Sequence, residues 1–590
     1  MKLTDFVAQT LGDHGVKHVF GLTGGAVVHI LDSFSKDPRI TTIFHHHEQA
    51  AAFAAEANAK ATNNLGVCAV TTGPGVTNTL TGLAAAWLDS VPCIFISGQA
   101  RVAHTTVGKK IRQLGTQQLD VVPLVKPMTK YAVMVTVANN IKYELTKAIH
   151  IATSGRPGPV WIDIPLDLQW AQIEPNLLTE FIPEKISTFP SEEQINSVTA
   201  LLEGAARPLL VLGAGIWRAN ATKIVSDLQS KLQIPVVTSW GAVDVIPHSN
   251  PLYLGCPGLA GNRGANLAVA NADLILALGT HLCIPMTGTR LDQFATNSKI
   301  IIVDIDPDET EDREFPIELK INCDVASFLT KLTQKTITTS VDPEWLSLSK
   351  EYKKLNLPPE PEKEIISPYE LVEAVSNNAL AGDNIVVDGG GTNVYISYLT
   401  FSIKENQRFI LSTGLCSMGS GLPEAIGVSM GKDRKRTIVF CGDGSFQLNI
   451  QELQTIKHHN LPIKIFISNN EGYLSIRQTQ GGFLEGNYLG SSSVGGLTLP
   501  DYEKVVTAYG IPFIRITKRC DLNQSIQYAM NQEGPFVCEI ITDPDQELIP
   551  RQGFEQQKDG SFSPRPLEDM APFIERELFE KLMIAKKVRK

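Results

Sequence analysis
The chain has nine cysteines and no Cys-x-x-Cys pair, which excludes the spacing of a structural zinc site and of a disulfide framework. Scattered thiols of this kind belong to a reduced compartment, and a cytoplasmic protein is expected. Long apolar runs are missing. None approaches the length that crosses a bilayer, and Met1-Lys2-Leu3-Thr4-Asp5-Phe6-Val7 opens an amphipathic pattern where a signal segment would have an apolar core; no membrane partner is expected. Basic residues are in the minority, 52 Lys and Arg against 62 Asp and Glu for a net charge of −10, and they form no basic stripe. Nucleic acid is therefore not expected as a partner either. Short repeats, a Gly-x-x-x-x-Gly-Lys-Ser/Thr phosphate loop and a Gly-x-Ser-x-Gly elbow are all absent, which removes solenoids, ordinary P-loop enzymes and serine hydrolases. Gly213-Ala214-Gly215 follows a clean apolar strand, but Arg218 stands where a dinucleotide fingerprint needs its third glycine, which counts against a nicotinamide enzyme.

What is present is enough apolar chain for several cores. The sequence has 590 residues, 43% of them hydrophobic, with 46 glycines and 34 prolines, the make-up of a multidomain enzyme. Short apolar strands alternate with helical stretches in three blocks, the rhythm of parallel sheets. Val67-Cys68-Ala69-Val70, Cys93-Ile94-Phe95-Ile96 and Val160-Trp161-Ile162-Asp163 mark the first block, Leu209-Leu210-Val211-Leu212 and Ile301-Ile302-Val303-Asp304 the second, and residues 366–545 the third. Polar, proline-bearing stretches at about 168–192 and 336–366, the latter with Leu357-Pro358-Pro359-Glu360-Pro361-Glu362, read as exposed connectors. Beyond Asp543 a charged, irregular tail ends in a helix expected over about 573–586, packed on its own or a neighbouring subunit.

The densest chemistry lies between Gly442 and Asn470. Two β-branched runs, Thr437-Ile438-Val439-Phe440-Cys441 and Ile463-Lys464-Ile465-Phe466-Ile467-Ser468, lead into Gly442-Asp443-Gly444 and into Asn469-Asn470, a βαβ pattern. Asn449 and Glu452 have the spacing of a capping box for a helix through Lys457 and His458. A glycine-rich turn before a helix offers free N–H groups to a diphosphate. Asp443, the Asn470 amide oxygen and a carbonyl near Gly472 can then share Mg²⁺ with two phosphate oxygens. A second constellation is Glu48, at a strand-to-helix junction after Thr41-Thr42-Ile43-Phe44 and before an alanine-rich helix.

Gly24-Gly25-Ala26, His47-Glu48-Gln49-Ala50-Ala51, Gly73-Pro74-Gly75-Val76-Thr77-Asn78, Asp89-Ser90-Val91-Pro92, Gly98-Gln99, Met418-Gly419-Ser420-Gly421-Leu422-Pro423 and Gly442-Asp443-Gly444 occur in this order. The set resembles the thiamine-diphosphate-dependent acetolactate synthase large subunits, to about residue 545. The resemblance implies an α/β fold of three domains with doubly wound, mostly parallel sheets: a pyrimidine-binding domain at 1–167, a central domain at 190–335 and a diphosphate-binding domain at 366–545, before a C-terminal tail at 546–590. It also implies thiamine diphosphate and Mg²⁺ as cofactors, and a homodimer or homotetramer with the cofactor at the subunit interface.

By the same resemblance Glu48 activates the pyrimidine, Met418 wedges the cofactor into its bent shape, and the Cys416 carbonyl accepts from the 4′ amino group. Gln117 falls near the reacting carbons, and Gly25 offers an N–H to a developing oxyanion. His29 replaces an apolar or proline position and is either a catalytic group or a histidine on the buried face of the first helix. Further cofactor contacts are implied at Gly73, Asn78, Gly390 and Asn393, and around the anchoring turn at Gly442, Gly444, Ser445, Tyr473 and Leu474.

Four positions depart from the family: Pro285 replaces an acceptor-binding arginine, Thr479 a tryptophan, Leu166 a lysine and Gln118 a glutamate. All four touch the acceptor site, and a proline cannot hold a carboxylate bidentately. FAD is left open: Gly213-Ala214-Gly215, Gly258-Leu259-Ala260-Gly261-Asn262-Arg263 and Asp304-Ile305-Asp306 fall where the family holds it, while His281 to Pro285 is rewritten nearby. The expected reaction is decarboxylation of a 2-keto acid, pyruvate first, with ligation of the resulting enamine to a second carbonyl. Acyl transfer to a nucleotide-linked ketosugar or another non-acid acceptor, and simple decarboxylation, are the alternatives.

Overall fold
A computed structural model describes residues 1–184, 189–311, 313–356 and 364–584. Three parallel sheets organise it. The first has six strands, β1 His18–Gly21, β2 Thr41–Phe44, β3 Gly66–Val70, β4 Cys93–Gln99, β5 Tyr131–Met134 and β6 Val160–Pro165, in the order β2-β1-β3-β4-β6-β5. The second has five, β7 Pro208–Leu212, β8 Val236–Thr238, β9 Leu274–Leu278, β10 Lys299–Asp304 and β11 Leu319–Asn322, in the order β11-β10-β9-β7-β8. The third has six, β12 Asn384–Val387, β13 Arg408–Leu411, β14 Thr437–Gly442, β15 Ile463–Asn469, β16 Phe513–Ile516 and β17 Phe536–Ile541, in the order β13-β12-β14-β15-β17-β16. Helices cover both faces, so the central strands are buried throughout and read as continuous apolar runs. The strand order reverses between β1 and β3, β7 and β9, and β12 and β14. Crevices open beyond the carboxyl ends of strands at such points.

The helix Glu48–Thr62 joins the first block to the third. It is buried on almost every side, which explains its alanines: larger side chains would hold its neighbours away. A Cβ on Gly82 of the helix Pro74–Leu88 would lie 2.4 Å from Ala52 Cβ, and one on Gly427 of the helix Gly421–Gly431 would lie 2.0 Å from the Ala54 carbonyl oxygen. Asn58 Nδ2 donates to the Gly427 carbonyl at 3.0 Å.

Three local expectations are corrected. The stretch 336–366 is not simply an exposed connector, because Pro343–Lys354 is a helix, capped by Asp342, whose Trp345 and Tyr352 are fully buried. Trp345 Nε1 donates to the Pro208 carbonyl at 3.1 Å and Tyr352 to that of Leu582 at 2.6 Å. Composition hid what the spacing of Trp345, Leu348, Ser349 and Tyr352 shows, an apolar helical face. The Leu357-to-Glu362 run lies outside the described residues.

Asn449 and Glu452 form no capping box. The helix after β14 starts at once, as Asp443–Leu448, and Leu453–His458 is a separate helix. Tertiary partners claim both side chains: Asn449 Nδ2 donates to the Gly419 carbonyl at 2.7 Å, and Glu452 accepts from His45 Nδ1 at 2.9 Å and the His46 N–H at 3.0 Å. The tail packs on its own second block, with Arg263 donating to the Met570 and Pro572 carbonyls, and its helix is confined to Arg576–Leu582.

Between β4 and β6 lies a buried polar cluster. Ser97 Oγ donates to Asp163 Oδ1 at 2.6 Å, Gln99 Nε2 to Asp163 Oδ2 at 2.9 Å, and Trp161 Nε1 to Ser97 Oγ at 2.8 Å. Burial pushes the Asp163 carboxyl up to about 7 against these hydrogen bonds.

Two predictions follow from this packing. Gly427→Val should lower stability by about 3 kcal/mol or more, since the Ala54 backbone cannot give way, and denaturant unfolding measures it. For Asp163, a pKa raised on folding means that the native state keeps a proton the unfolded chain would release. Its stabilisation is present below about 4 and is lost as the pH rises through about 7. Asp163→Asn should therefore lose less stability than wild type across that window, as thermal midpoints at several pH values would record.

Candidate functional site
The candidate catalytic and cofactor-binding residues of the first and third blocks lie at or after the carboxyl ends of strands, in the following loop or the opening turns of the next helix. In the third block Gly390 and Asn393 follow β12, Cys416 and Met418 follow β13, Asp443 to Ser445 follow β14, and Asn470 to Leu474 follow β15, around the reversal between β12 and β14.

Glycines there admit close approaches. Gly390 has φ +96°, and a Cβ on it would lie 2.5 Å from Met418 Cγ; one on Gly444 would lie 2.1 Å from Tyr473 Cε1. Ser445 Oγ donates to the Gly389 carbonyl at 3.1 Å, and the Gly390 N–H to Cys416 Sγ at 3.4 Å. Cys416 itself has φ +52°, which turns the backbone at the position where its carbonyl is of interest.

Asp443 is buried at the helix start. Oδ2 accepts from the N–H groups of Asn470 (3.1 Å) and Gly472 (2.9 Å), and Oδ1 from that of Gly444 (2.7 Å). Burial pushes its carboxyl up to about 6, with these N–H groups opposing the shift. Two buried polar atoms beside it have no hydrogen-bond partner: Asn470 Oδ1, an acceptor, and Asn393 Nδ2, a donor 3.5 Å from a Cβ built on Gly442. Among the described residues no group of three or more His, Cys, Asp and Glu could hold a metal ion. Asp443 with amide and carbonyl oxygens is thus the available donor set.

In the first block Glu48 opens its helix after β2, buried, and accepts from Asn78 Nδ2 at 2.9 Å through Oε2. Asn78 lies on the helix that Gly73 caps. Gly73 has φ +64°, and a Cβ on it would meet the Gln117 carbonyl oxygen at 2.4 Å. Thr72 Oγ1 also reaches that carbonyl, at 3.3 Å. Glu48, Asn78, Gly73 and Gln117 are therefore linked, with the Gln117 side chain exposed.

Gly25 is exposed beyond β1, and a Cβ on it would meet nothing within 4 Å, whereas Gly24 is pressed on Thr71 at 2.6 Å. His29 is half-buried, edge-on to Trp170 with ring centroids 5.2 Å apart. No hydrogen bond or ion pair among the described residues joins the Glu48 group to the Asp443 group.

The four departing positions do not converge in one chain. Leu166 is half-buried just beyond β6, and Thr479 is exposed on the helix Leu474–Phe483. Pro285 lies in the second block, its carbonyl accepting from the Leu259 N–H at 2.8 Å. Gln118 is buried inside its own loop, Nε2 donating to Thr106 Oγ1 at 2.9 Å; its amide is committed to holding that loop.

Two residues escaped the sequence reading. Asp388 accepts from the Gly419 N–H at 3.0 Å, with its carboxyl pushed up to about 7 by burial. An acid between an apolar strand and Gly389-Gly390-Gly391 was the signal. Arg477 donates to the carbonyls of Asn470 (2.8 Å), Ser491 (3.1 Å) and Pro544 (2.9 Å), clamping the Asn470 loop, and nothing local in the sequence marks it.

Comparison with known proteins gives the family. Family models for thiamine pyrophosphate enzymes match in order: the N-terminal TPP binding domain at residues 1–124, the central domain at 195–332 and the C-terminal TPP binding domain at 388–540. The acetolactate synthase large subunit of Cyanidium caldarium is 34% identical over 555 residues, 91% of this chain and 92% of the relative. The acetolactate synthase isozyme 1 large subunit of Escherichia coli K12 is 31% identical over 549 residues, covering 92% and 95%. The chloroplastic acetolactate synthase 1 of Oryza sativa subsp. japonica is 32% identical over 567 residues, covering 93% and 86%. The chain belongs to the acetolactate synthase large-subunit family of thiamine pyrophosphate enzymes.

Proposed function
We propose that the protein is a thiamine-diphosphate- and Mg²⁺-dependent carboligase that decarboxylates a 2-keto acid, pyruvate first, and joins the remaining two-carbon unit to a second carbonyl compound. The observation that carries this reading is the pair of buried, unpartnered polar atoms beside Asp443. Asn470 Oδ1 lacks a donor and Asn393 Nδ2 lacks an acceptor, a costly arrangement unless a ligand brings a cation and an anion together. Mg²⁺ fits the oxygen set of Asp443, Asn470 and the Gly472 carbonyl, and a diphosphate fits the N–H groups at the start of the Asp443 helix together with Asn393.

When bound, thiamine diphosphate supplies a carbanion that adds to the keto carbon and an electron sink for the loss of carbon dioxide. The chain's own residues orient and tune. Glu48 has one carboxylate oxygen held by Asn78 and the other without a hydrogen bond among the described residues, ready to accept from a pyrimidine N–H. Met418, backed by Gly390, supports the thiazolium; Cys416 offers its carbonyl; Gly25 and Gln117 face the reacting carbonyl. The reading, following the family resemblance, puts the cofactor between two copies, in a homodimer or a tetramer built from it. Residues 1–167, 190–335 and 366–545 then act as the pyrimidine-binding, central and diphosphate-binding units, ahead of the tail at 546–590.

A flavin is left out of the proposal. A Cβ on Gly213 would lie 2.1 Å from the Gly279 carbonyl oxygen, and one on Gly215 2.8 Å from Gly279 Cα. Packing alone accounts for both glycines, so they carry no argument for FAD. A flavin spectrum from the purified protein would add that cofactor without altering the reaction proposed. No helix among the described residues is long and apolar enough to cross a membrane.

Purified protein supplied with thiamine diphosphate, Mg²⁺ and pyruvate should release carbon dioxide, and Glu48→Gln should lower that rate at least about 100-fold while cofactor affinity stays near wild type. Asn470→Ala should instead weaken cofactor binding in a Mg²⁺-dependent way, read by titration calorimetry. Wild-type protein that binds the cofactor yet turns over no 2-keto acid would refute the reading.

A further inference from the structure
The loop between β4 and β5 carries charge that the reaction above does not use. From Arg101 to Leu119 it contains Arg101, Lys109, Lys110 and Arg112 and no Asp or Glu, in a chain whose net charge is −10. Residues 107–117 are exposed without interruption. The ends of the loop are nevertheless fixed: Val102 N–H donates to Asp167 Oδ1 at 3.1 Å, Lys109 Nζ to the Thr105 carbonyl at 2.8 Å, and Gln118 Nε2 to Thr106 Oγ1 at 2.9 Å. Lys110 and Arg112 make no ion pair or hydrogen bond among the described residues, so their charge is available.

The loop also stands at the mouth of the site. At one end Gln117 touches Gly73, whose helix carries the Asn78 that holds Glu48. At the other, the Arg101 guanidinium lies 5.9 Å from the ring centre of Trp170, and Trp170 meets His29 edge-on.

Resting on the carboligase reading, we infer that the acceptor is a phosphate ester of a carbonyl compound, a mono- or diphosphate, gripped by Lys110 and Arg112. Two cations suit a phosphate's several oxygens and its charge near −2 better than they suit one carboxylate. The same placement gives meaning to the lost arginine at Pro285: an acceptor held by its phosphate at the loop needs no carboxylate clamp in the second block.

The test uses the holoenzyme with thiamine diphosphate, Mg²⁺ and pyruvate. Carbon dioxide release without acceptor first establishes that the carboligase reading stands. Glyceraldehyde 3-phosphate is then compared with glyceraldehyde as acceptor, and uridine diphosphate with uridine as competitor, in wild type and Lys110→Gln/Arg112→Gln. At least one phosphate-bearing probe should act at about tenfold lower concentration than its phosphate-free counterpart. The double variant should raise the KM or Ki for that probe about tenfold or more, while the phosphate-free counterpart is unmoved, and added salt should mimic the variant. A monoester preference and a diphosphate preference are told apart by which pair responds. The inference is overturned if neither pair is discriminated, if the variant matches wild type, or if uridine diphosphate acts only by displacing thiamine diphosphate.

Discussion
The architecture depends on one buried cation. Lys60, near the end of the Glu48–Thr62 helix, donates to Asp89 at 2.7 Å and to the Leu411 carbonyl at 2.9 Å, and pairs with Glu56. Asp89 in turn accepts from Thr413 and Gly414. The Lys60 carbonyl takes a hydrogen bond from Arg408, which pairs with Asp244, and Asp244 accepts from Trp217 Nε1. Burial by itself would strip Lys60 of its proton, but Asp89 and Glu56 raise its pKa above the ordinary lysine value. Side chains from all three blocks thus meet in one network. A buried charge tolerates little displacement of its partners, so the network fixes how the blocks sit together.

That constraint explains the residues around it. A helix carrying a buried ion pair between two blocks must approach both closely, hence the alanines, Gly82 and Gly427. Burial leaves Glu424, on the facing helix, with a carboxyl raised well above its usual range, and nearby Glu56 adds to the shift. Both effects favour its neutral form. With the helix fixed, its first residue, Glu48, is fixed too. The chemistry at one end of the helix inherits its position from electrostatics at the other.

Much of this was legible in the sequence. Parallel sheets buried on both faces leave uninterrupted β-branched runs, and those around Gly442 and Asn470 became β14 and β15. Glycines and acids at strand ends form short local motifs, so the Asp443 group could be named from spacing and the Glu48 group from its resemblance to the family. What could not be read depends on partners distant in the chain. Asn449 and Glu452 satisfy a local capping rule, yet bind residues about 30 and 400 positions away. Arg477 carries no pattern because its partners are backbone carbonyls. The helix Pro343–Lys354 was obscured by proline and charge beside it, although its apolar spacing was visible. The cations of the loop from Arg101 are too few to register as a basic stripe; they gain meaning only when the fold holds the loop against Gly73 through Gln117.

The two ends of the site differ in what they can tolerate. At the cofactor end Gly73, Gly390 and Gly444 each stand where a Cβ would collide with a neighbour at 2.1 to 2.5 Å, two of them with positive φ. Substitution there disturbs the fold as well as the ligand. Toward the acceptor, Thr479, Gln117, Lys110 and Arg112 are exposed on a helix or loop, and changing them costs little stability. A chain under selection for a new acceptor can therefore alter that end one residue at a time while the cofactor end stays as it was. Of the four positions that depart from the family's pattern this freedom reaches Thr479 alone, since Leu166 and Pro285 are half-buried and Gln118 is buried, so the other three changes had to be fitted to their surroundings as well as to the second substrate.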